Sequence, residues 1–428
     1  MKPTRYNNGP LNELGVVDIA EGVARKVFSA QEVVQACLER IRLREPHLGA
    51  WVYHDGAEAL RQAAGVAAGS RLPLAGVPFG AKDVFDSAGM PTEMGSRLYS
   101  GHRPRFDAAS VARLRGAGAV LIGKTATAEF AGTQPTDTRN PRDPDRTPGG
   151  SSSGSAAAVA DCMVPFALGT QTGGSVLRPA AFCGIVGFKP TFGFYPVAGM
   201  KPAARSFDTV GVLARSIADV ARIHAALMSA VPATAREGAP RLGVFRSHLW
   251  DTVETGMRDA MQDALARLER CGAVLSEVAP PPGFETITEQ RAIVNAYERA
   301  GDLTAEWLKD GACMSRQSRD VCTRGQAISG EDYVAAREAV AAFAAATEGM
   351  FADIDVLVTP TAPGPALEGH DHTGDPRLQE IWTMLHLPSL SLPLSMSGAD
   401  LPVGLQMVGR RFRDRDLLGA ALWAVERL

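Results

Sequence analysis

The sequence lacks the features that mark membrane proteins, disulfide-stabilised proteins and zinc enzymes. No stretch of its 428 residues approaches the roughly 18 uninterrupted apolar residues of a membrane-spanning helix. The six cysteines include no CxxC pair and the eight histidines include no HExxH motif, which indicates reduced thiols and no metal site. Residues 1–8 lack the apolar core that a signal peptide has. We therefore expect a cytoplasmic protein.

An excess of positive charge is also missing. The formal net charge is −3 and the isoelectric point is about 6.3. This balance provides neither the basic footprint that nucleic acids require nor a polybasic patch for an anionic membrane. The proportions of hydrophobic residues (45%) and charged residues (21%) are typical of a globular protein. We expect no nucleic-acid partner and no membrane partner.

Lysine is scarce, since only seven of the 44 Lys and Arg residues are lysines. Arginine therefore provides most of the positive charge. Where such a sequence has a lysine in an apolar stretch, the position is more often one that needs an amine able to lose its proton. Arginine cannot fill that role, because its guanidinium stays protonated in proteins. Three lysines follow apolar runs, namely Lys82, Lys124 and Lys189.

Helical and strand-like segments alternate along the chain. Ser29 and Glu32 fit a capping box at the start of a helix. The alternation predicts an α/β fold with helices on both faces of a sheet. Further helices are predicted at 109–114, 257–270 and 334–346, and strands at 119–122, 241–245, 273–275 and 355–359.

Two further segments are notable, one for its composition and the other for its lack of a chemical motif. Residues 139–154 are too rich in Pro, Gly and Ser for regular structure, and they form either a linker or a loop that packs against a site. Residues 240–350 carry no obvious chemical motif. A helical cap or insertion over the site is one interpretation of the second segment, and the sequence does not decide it.

Two glycine- and serine-rich segments are the main chemical signals. The first is GGSSSGS at 149–155, and the second is GTQTGGSVLRP at 169–179. Two glycines precede Ser175, and successive N–H groups of such residues form a nest for negative charge. A serine hydroxyl beside a nest is what acyl transfer needs. A plain glycine turn with a capping serine is the alternative.

A serine nucleophile needs a base, and no histidine lies near either segment in the sequence. A lysine whose pKa is lowered by burial is the better candidate. The residues alone do not rank Lys82, Lys124 and Lys189, and a surface amine or an ion pair with Asp83 is the alternative for Lys82. Residues 150–154 also match GxSxG, the nucleophile elbow of α/β-hydrolases, but no strand precedes them.

These segments together resemble the amidase signature family. The resemblance runs from about residue 74 to the C-terminus, apart from a non-diagnostic middle at about 240–350. It is carried by GVPFGAKD around Lys82, GGSSSGSAAAVA from Gly149 and GTQTGGSVLRPAAFCGIVGFKP from Gly169, with weaker matches in GKTATAEFAG, DVLVTPTAP and LPVGLQMVG.

The resemblance implies a Ser–cis-Ser–Lys triad. Carried over by motif, Lys82 is the base, Ser151 the cis-serine and Ser175 the nucleophile. The backbone amides that the resemblance assigns to the oxyanion hole are those of Thr172, Gly173, Gly174 and Ser175.

The same resemblance implies a mixed β-sheet sandwiched between layers of helices. We therefore expect a single domain over residues 1–428 that has no metal or cofactor and hydrolyses a small-molecule amide. Some relatives form homodimers, and the sequence leaves open whether this chain does.

Two residues depart from the common family pattern. Gln171 stands where many members have aspartate, and Arg178 lies three residues after Ser175 where many members place arginine after two. This variant resembles the malonamidase-type branch, in which the corresponding arginine holds a substrate carboxylate. A guanidinium binds a carboxylate through two parallel hydrogen bonds. Arg178 is therefore either a substrate-binding residue for an amide that bears a carboxylate or a brace for the loop.

Other functions stay open. The segment GKTATAEFAG lacks the asparagine and aspartate of the GKTNMDEF form that is common in glutamyl-tRNA amidotransferase subunits. We therefore rank a glutamine-hydrolysing component of a tRNA-dependent amidotransferase second. An α/β-hydrolase-like esterase and a catalytically silent binding protein are the remaining alternatives.

Overall fold

The computed structural model describes residues 9–396 and 399–428. Residues 1–8, on which the expectation about a signal peptide depends, lie outside the described residues. Within the described ranges, no helix is both long enough and apolar enough to cross a membrane.

One mixed sheet of eleven strands forms the centre of the described structure. Its strand order is β1-β3-β2-β4-β6-β5-β10-β11-β9-β7-β8. Strands β2, β3 and β4 pair in parallel, as do β7, β8 and β9, and the other pairs are antiparallel. The strands are β1 (Trp51–His54), β2 (Pro78–Lys82), β3 (Val120–Thr125), β4 (Phe166–Gln171), β5 (Val186–Lys189), β6 (Thr209–Ala214), β7 (Arg241–Phe245), β8 (Val274–Val278), β9 (Val356–Pro360), β10 (Ser389–Met396) and β11 (Ala399–Gly409).

Layers of α-helices enclose this sheet, so the predicted fold class is confirmed. The fourteen helices of the described ranges are α1 (Val16–Ala24), α2 (Ala30–Leu48), α3 (Gly56–Ala64), α4 (Ala109–Gly116), α5 (Ser153–Ala160), α6 (Leu177–Cys183), α7 (Ile217–Met228), α8 (Thr255–Arg270), α9 (Ile287–Asp302), α10 (Thr304–Asp310), α11 (Arg316–Gln326), α12 (Gly330–Thr347), α13 (Arg377–Met384) and α14 (Asp414–Val425).

The predicted helices and strands are present with ends that differ by a few residues. The capping box at the start of α2 is complete, because the Ser29 side chain accepts from the Glu32 N–H and the Glu32 carboxylate accepts from the Ser29 N–H. Strands β2, β3, β4 and β6 are buried along their whole length. Their continuous apolar runs are typical of strands that are covered on both faces.

Register places two of the candidate lysines on opposite faces of the sheet. Lys124 of β3 pairs with Ala81 of β2, and Lys82 pairs with Thr125. Successive side chains of a strand point to opposite faces. Lys82 and Lys124 are therefore neighbours in the sheet whose amines have different surroundings.

The glycine- and serine-rich loop over residues 139–152 leads directly into α5. All but the last residue of α5 are buried, and the helix packs closely against the strand ends. A Cβ added at Gly154 would lie 2.1 Å from the Ala50 carbonyl oxygen, so only glycine fits there. The loop itself contacts β2 through Ser151 and Lys82, and β4 through Ser152 and Thr170, so it does not project as a linker.

The segment 240–350 contributes both strands and helices. Its strands β7 and β8 form one edge of the sheet, and its helices run from α8 to α12. Helix α9 contacts α11, α12 and α13. The interpretation of this segment as a cap or insertion, and the assignment of residues 1–428 to one domain, stay predictions.

Candidate active site

Lys82 is the last residue of β2, and its side chain is completely buried. Its Nζ lies 2.7 Å from Ser151 Oγ and 2.7 Å from Thr170 Oγ1. Thr170 belongs to β4, which pairs with β2, so the sheet itself fixes this contact. The structure thus brings together two of the three predicted triad residues, and it adds a threonine hydroxyl.

Burial lowers the pKa of Lys82 well below its ordinary value, because the charged amine loses its hydration. The negative charge of Asp208 opposes this shift, and the positive charge of Arg299 adds to it. The two hydroxyls that touch Nζ carry no charge and therefore do not hold a proton on the amine. The site favours a neutral Lys82.

Ser151 lies on the loop before α5, and the peptide bond between Gly150 and Ser151 is cis. The Ser151 side chain is completely buried, and the backbone carbonyl oxygen of Ser151 accepts a hydrogen bond from the Ala128 N–H. Ser152 is the middle serine of the GxSxG match. Its Oγ accepts a hydrogen bond from the Thr170 N–H at 3.3 Å. The loop that precedes it contains no strand, which is not the arrangement of a nucleophile elbow.

Residues 172–175, for which the oxyanion nest is predicted, lie between β4 and α6. The N–H groups of Thr172, Gly173, Gly174 and Ser175 donate to no acceptor among the described residues. Successive free N–H groups are what an oxyanion hole requires. Ser175 is 8% exposed, and its side chain forms no hydrogen bond with Ser151 in the described structure.

Arg178 is buried beside this nest, and its guanidinium is partly used. Its Nε donates to the Thr373 carbonyl oxygen at 2.5 Å, and its Nη2 donates to the Gly150 carbonyl oxygen at 2.6 Å. Its Nη1 is buried and makes no hydrogen bond among the described residues. Burial lowers the pKa of Arg178 to about 10, while the charges of Asp375 and Glu380 oppose the shift. The guanidinium is therefore hydrogen-bonded to the loop that carries Ser151, and it keeps one donor without a partner among the described residues.

The other two candidate lysines have partners of a different kind. Lys124 forms an ion pair with Asp83 at 3.0 Å. Its amine also donates to the Phe85 carbonyl oxygen and to the Thr92 hydroxyl. Lys189 donates to two backbone carbonyl groups, and burial lowers its pKa to about 7. Neither amine contacts Ser151 or Ser175.

Four charged residues around the nest and Lys82 were not predicted from the sequence. Asp208 accepts from the Thr172 hydroxyl at 2.6 Å, and burial raises the pKa of Asp208 to about 6. Arg291 of α9 donates to the Thr172 carbonyl oxygen at 3.3 Å and pairs with Glu380. Arg299, eight residues further along α9, is buried, and its charge acts on Lys82.

These residues carried no signal that sequence reasoning uses. Both arginines belong to the segment that lacks a recognisable motif, and their spacing is informative only once the helix is known. Thr170 did lie within the quoted GTQTGGS segment, and a hydroxyl two residues before the nest was the available signal.

The described residues contain no group of three or more His, Cys, Asp and Glu side chains that could hold a metal ion. The groups that the site does provide are hydroxyls, one desolvated amine and a row of backbone N–H groups.

Comparison with known proteins identifies the family. The Amidase family model matches residues 32–418. A glutamyl-tRNA(Gln) amidotransferase subunit from Anaeromyxobacter sp. (strain K) is 36% identical over 471 residues, covering 96% of this chain and 95% of that protein. A crystal structure of an amidase superposes with a TM-score of 0.90 at 30% identity, covering 97% of this chain and 100% of the other. The native peptide amidase from Stenotrophomonas maltophilia gives a TM-score of 0.84 at 28% identity, covering 98% and 97%. The chain belongs to the amidase family and is an amidohydrolase that acts on C–N bonds.

Proposed function

We propose that this protein hydrolyses a small carboxamide to a carboxylate and ammonia through an acyl-enzyme on Ser175. The observation that carries the proposal is the contact of a fully buried amine, Lys82 Nζ, with Ser151 Oγ at 2.7 Å. A desolvated amine that touches only hydroxyls is a base at neutral pH.

The first half of the reaction forms the acyl-enzyme. Neutral Lys82 accepts the proton of Ser151, and Ser151 accepts the proton of Ser175 as the Ser175 oxygen attacks the amide carbonyl carbon. The negative charge on the carbonyl oxygen is stabilised by the free N–H groups of residues 172–175. Each such donor contributes roughly 3 kcal/mol to the transition state.

The second half releases the products. The proton on Lys82 returns through Ser151 to the amide nitrogen, the C–N bond breaks, and ammonia leaves. A water molecule then attacks the ester of Ser175, with its proton taken up by the same relay. The C–O bond to Ser175 breaks as the proton on Lys82 returns through Ser151 to the Ser175 oxygen, and the acid product leaves and loses its own proton to solvent.

Two features of Arg178 support a substrate that bears a carboxylate. Its Nη1 is a buried donor without a partner among the described residues, and the residue lies one helical turn after the nucleophile. The GTQTGGSVLRP variant resembles that of malonamidase-type enzymes, and a malonamate-like half-amide is the substrate class we favour. The hydrogen bond from Arg178 Nη2 to the Gly150 carbonyl oxygen also supports a bracing role for the same side chain.

A glutamine-hydrolysing component of an amidotransferase is the second candidate. It is favoured by the 36% identity over nearly the whole length of a glutamyl-tRNA(Gln) amidotransferase subunit. In this role the chain would act with a different partner protein. Purification from the source organism under gentle conditions, followed by native mass spectrometry, would reveal a heteromer, whereas the first candidate acts alone or as a homodimer.

The test is a turnover screen that detects released ammonia. Glutamine, malonamate-like half-amides and neutral amides of matched size are compared in the parent and in Ser175→Ala. We expect turnover of a carboxylated amide, its loss in Ser175→Ala, and an acyl or phosphonyl adduct on Ser175 by mass spectrometry. An adduct on another serine would contradict the assignment.

Arg178→Ala separates the two roles of this arginine. If Arg178 holds a substrate carboxylate, the variant loses turnover of the carboxylated amide far more than of the neutral amide. Equal losses on both substrates would assign it to bracing alone.

A further inference from the structure

Gln171, which departs from the common family pattern, is hydrogen-bonded to a residue of α13. Gln171 is completely buried at the end of β4. Its Oε1 accepts from the N–H groups of Val176 and Leu177 at 2.9 and 3.0 Å, at the start of α6. An acidic side chain can accept in the same way, so this contact alone does not require glutamine.

The amide nitrogen of Gln171 makes a contact that a carboxylate cannot make. Nε2 donates to Thr383 Oγ1 at 3.0 Å. Because two backbone N–H groups face Oε1, the amide cannot be turned around, and its donor must face Thr383. One lone pair of the Thr383 hydroxyl is therefore occupied, and its single proton must point elsewhere.

The nearer acceptor for that proton belongs to the nest. Thr383 Oγ1 lies 2.7 Å from the Gly173 carbonyl oxygen and 3.2 Å from the Gln379 carbonyl oxygen in its own helix. The Gly173 carbonyl and the Gly174 N–H belong to one planar peptide unit and point in opposite directions. Holding the carbonyl on one side fixes the direction of the N–H on the other.

We propose that Thr383, oriented by Gln171, is a positioning residue that aims the Gly174 N–H at the oxyanion. The chain Gln171–Thr383–Gly173 ties α13 to the oxyanion nest, and it depends on glutamine at the position where many family members have aspartate. This inference rests on the proposed function, because it assumes that the nest binds the oxyanion formed from Ser175.

The contact acts in the transition state more than in the ground state. A misdirected N–H loses little with a neutral carbonyl, but it loses much when full negative charge develops on that oxygen. Loss of the Thr383 hydroxyl should therefore lower kcat and leave KM nearly unchanged.

The experiment compares Thr383→Val, which removes the hydroxyl at constant shape, with Thr383→Ser, which retains it. The main readout is the second-order rate constant for labelling of Ser175 by an alkyl fluorophosphonate, which needs no knowledge of the natural amide. We expect a roughly tenfold lower rate in Thr383→Val and a rate within about threefold of the parent in Thr383→Ser. The kcat of ammonia release should fall by a similar factor, with KM within about twofold.

Two further variants sharpen the assignment. Gln171→Glu keeps an acceptor for α6 but removes the amide donor, so Thr383 can turn its proton toward the new carboxylate. We expect its labelling rate to fall at least as far as that of Thr383→Val. Thr191→Val is the matched control, because it removes a buried hydroxyl that donates to Asp414 and lies outside the site. This control should lower the thermal midpoint and keep the labelling rate.

The outcomes distinguish failure of the positioning role of Thr383 from failure of the proposed function. Equal labelling rates in the parent and Thr383→Val, or equal losses in Thr383→Val and Thr383→Ser, would overturn the positioning role and leave the proposed function intact. A parent that is labelled on another serine would overturn the proposed function and this inference with it.

Discussion

Two buried lysines on neighbouring strands show how the surroundings decide what an amine does. Lys82 and Lys124 both have no exposed surface, and they lie one residue apart in register on opposite faces of the sheet. Lys124 has a carboxylate partner, Asp83, together with a carbonyl and a hydroxyl acceptor. Lys82 has two hydroxyls and, among the described residues, no carboxylate within hydrogen-bond distance.

The difference lies in the compensation of charge. Burial lowers the pKa of both amines, but for Lys124 the charge and hydrogen bond of Asp83 act strongly against that shift. A buried charge that is paired and hydrogen-bonded is tolerated, whereas a buried ionisable group without a partner becomes neutral. Lys124 is therefore suited to a structural ion pair, and Lys82 to accepting a proton.

The largest expected effect is on turnover. Lys82→Met should lower kcat by roughly a thousandfold, because the relay from Ser175 loses its terminal base. Lys124→Met should keep kcat per folded molecule within about tenfold, because its amine takes no part in the relay. Ammonia release, normalised to the folded fraction from circular dichroism, measures both. If Lys82→Met retained parental turnover, the contrast between the two lysines would be lost.

The second effect is on stability, and here the substitution of Lys124 should be more damaging than that of Lys82. Lys124→Met leaves the Asp83 carboxylate buried without its partner, which should cost about 3–5 kcal/mol of the free energy of unfolding. The double variant Lys124→Met/Asp83→Asn should recover part of this loss. Urea denaturation midpoints give the values. A single variant as stable as the parent would show that the pair is not ionised.

The third effect is the pH dependence of turnover. A folded-state pKa of Lys82 that is lowered leaves the amine neutral at neutral pH, and acidification below that pKa protonates it. The rate should then fall by about tenfold per pH unit, since one proton blocks the base. Burial also raises the pKa of Asp208 to about 6, and the negative charge of Asp208 holds the pKa of Lys82 up. In Asp208→Asn the fall in rate that reports Lys82 should therefore move to lower pH, whereas a fall that reports Asp208 itself should disappear. A flat profile from weakly acid to neutral pH would argue against Lys82 as the base.

The same comparison shows what the sequence could predict. Periodicity and turn chemistry predicted the α/β fold, the capping box at Ser29 and four of the eleven strands of the described ranges, namely β3, β7, β8 and β9, to within a few residues. The residues alone could not rank Lys82, Lys124 and Lys189, because each follows an apolar run and only the tertiary partners differ. The family resemblance ranked them, and the contact of Lys82 with Ser151 agrees with that ranking.

Other parts of the site depend on contacts between segments that are distant in sequence. Arg291 and Arg299 lie on α9, and their side chains donate to the carbonyl oxygens of Thr172 and Phe130, which are more than 100 residues away in sequence. Thr383 contacts Gly173 across 210 positions. Such contacts leave no local pattern in one sequence, so the assignment of roles to these residues had to come from the structure.

A further expected effect is a gain in stability when the base is removed. In the unfolded chain Lys82 has a pKa of about 10.4 and is protonated at neutral pH. Folding must therefore remove a proton, which costs free energy between the lowered folded-state pKa and about pH 10.4. Lys82→Met abolishes that cost, and it should raise the urea midpoint at pH 7 although it removes most of the turnover.

The sign of the pH dependence makes this prediction specific. The parent gains stability relative to Lys82→Met as the pH rises, because the unfolded chain binds one proton more than the folded chain at this group. Titration of Lys189 and of the other groups is common to both proteins and cancels in the difference. The gap in midpoints between the two proteins should therefore shrink steadily from pH 7 to pH 10. A gap that stays constant over this range would mean that Lys82 is charged in the folded protein, and the distinction from Lys124 would fail.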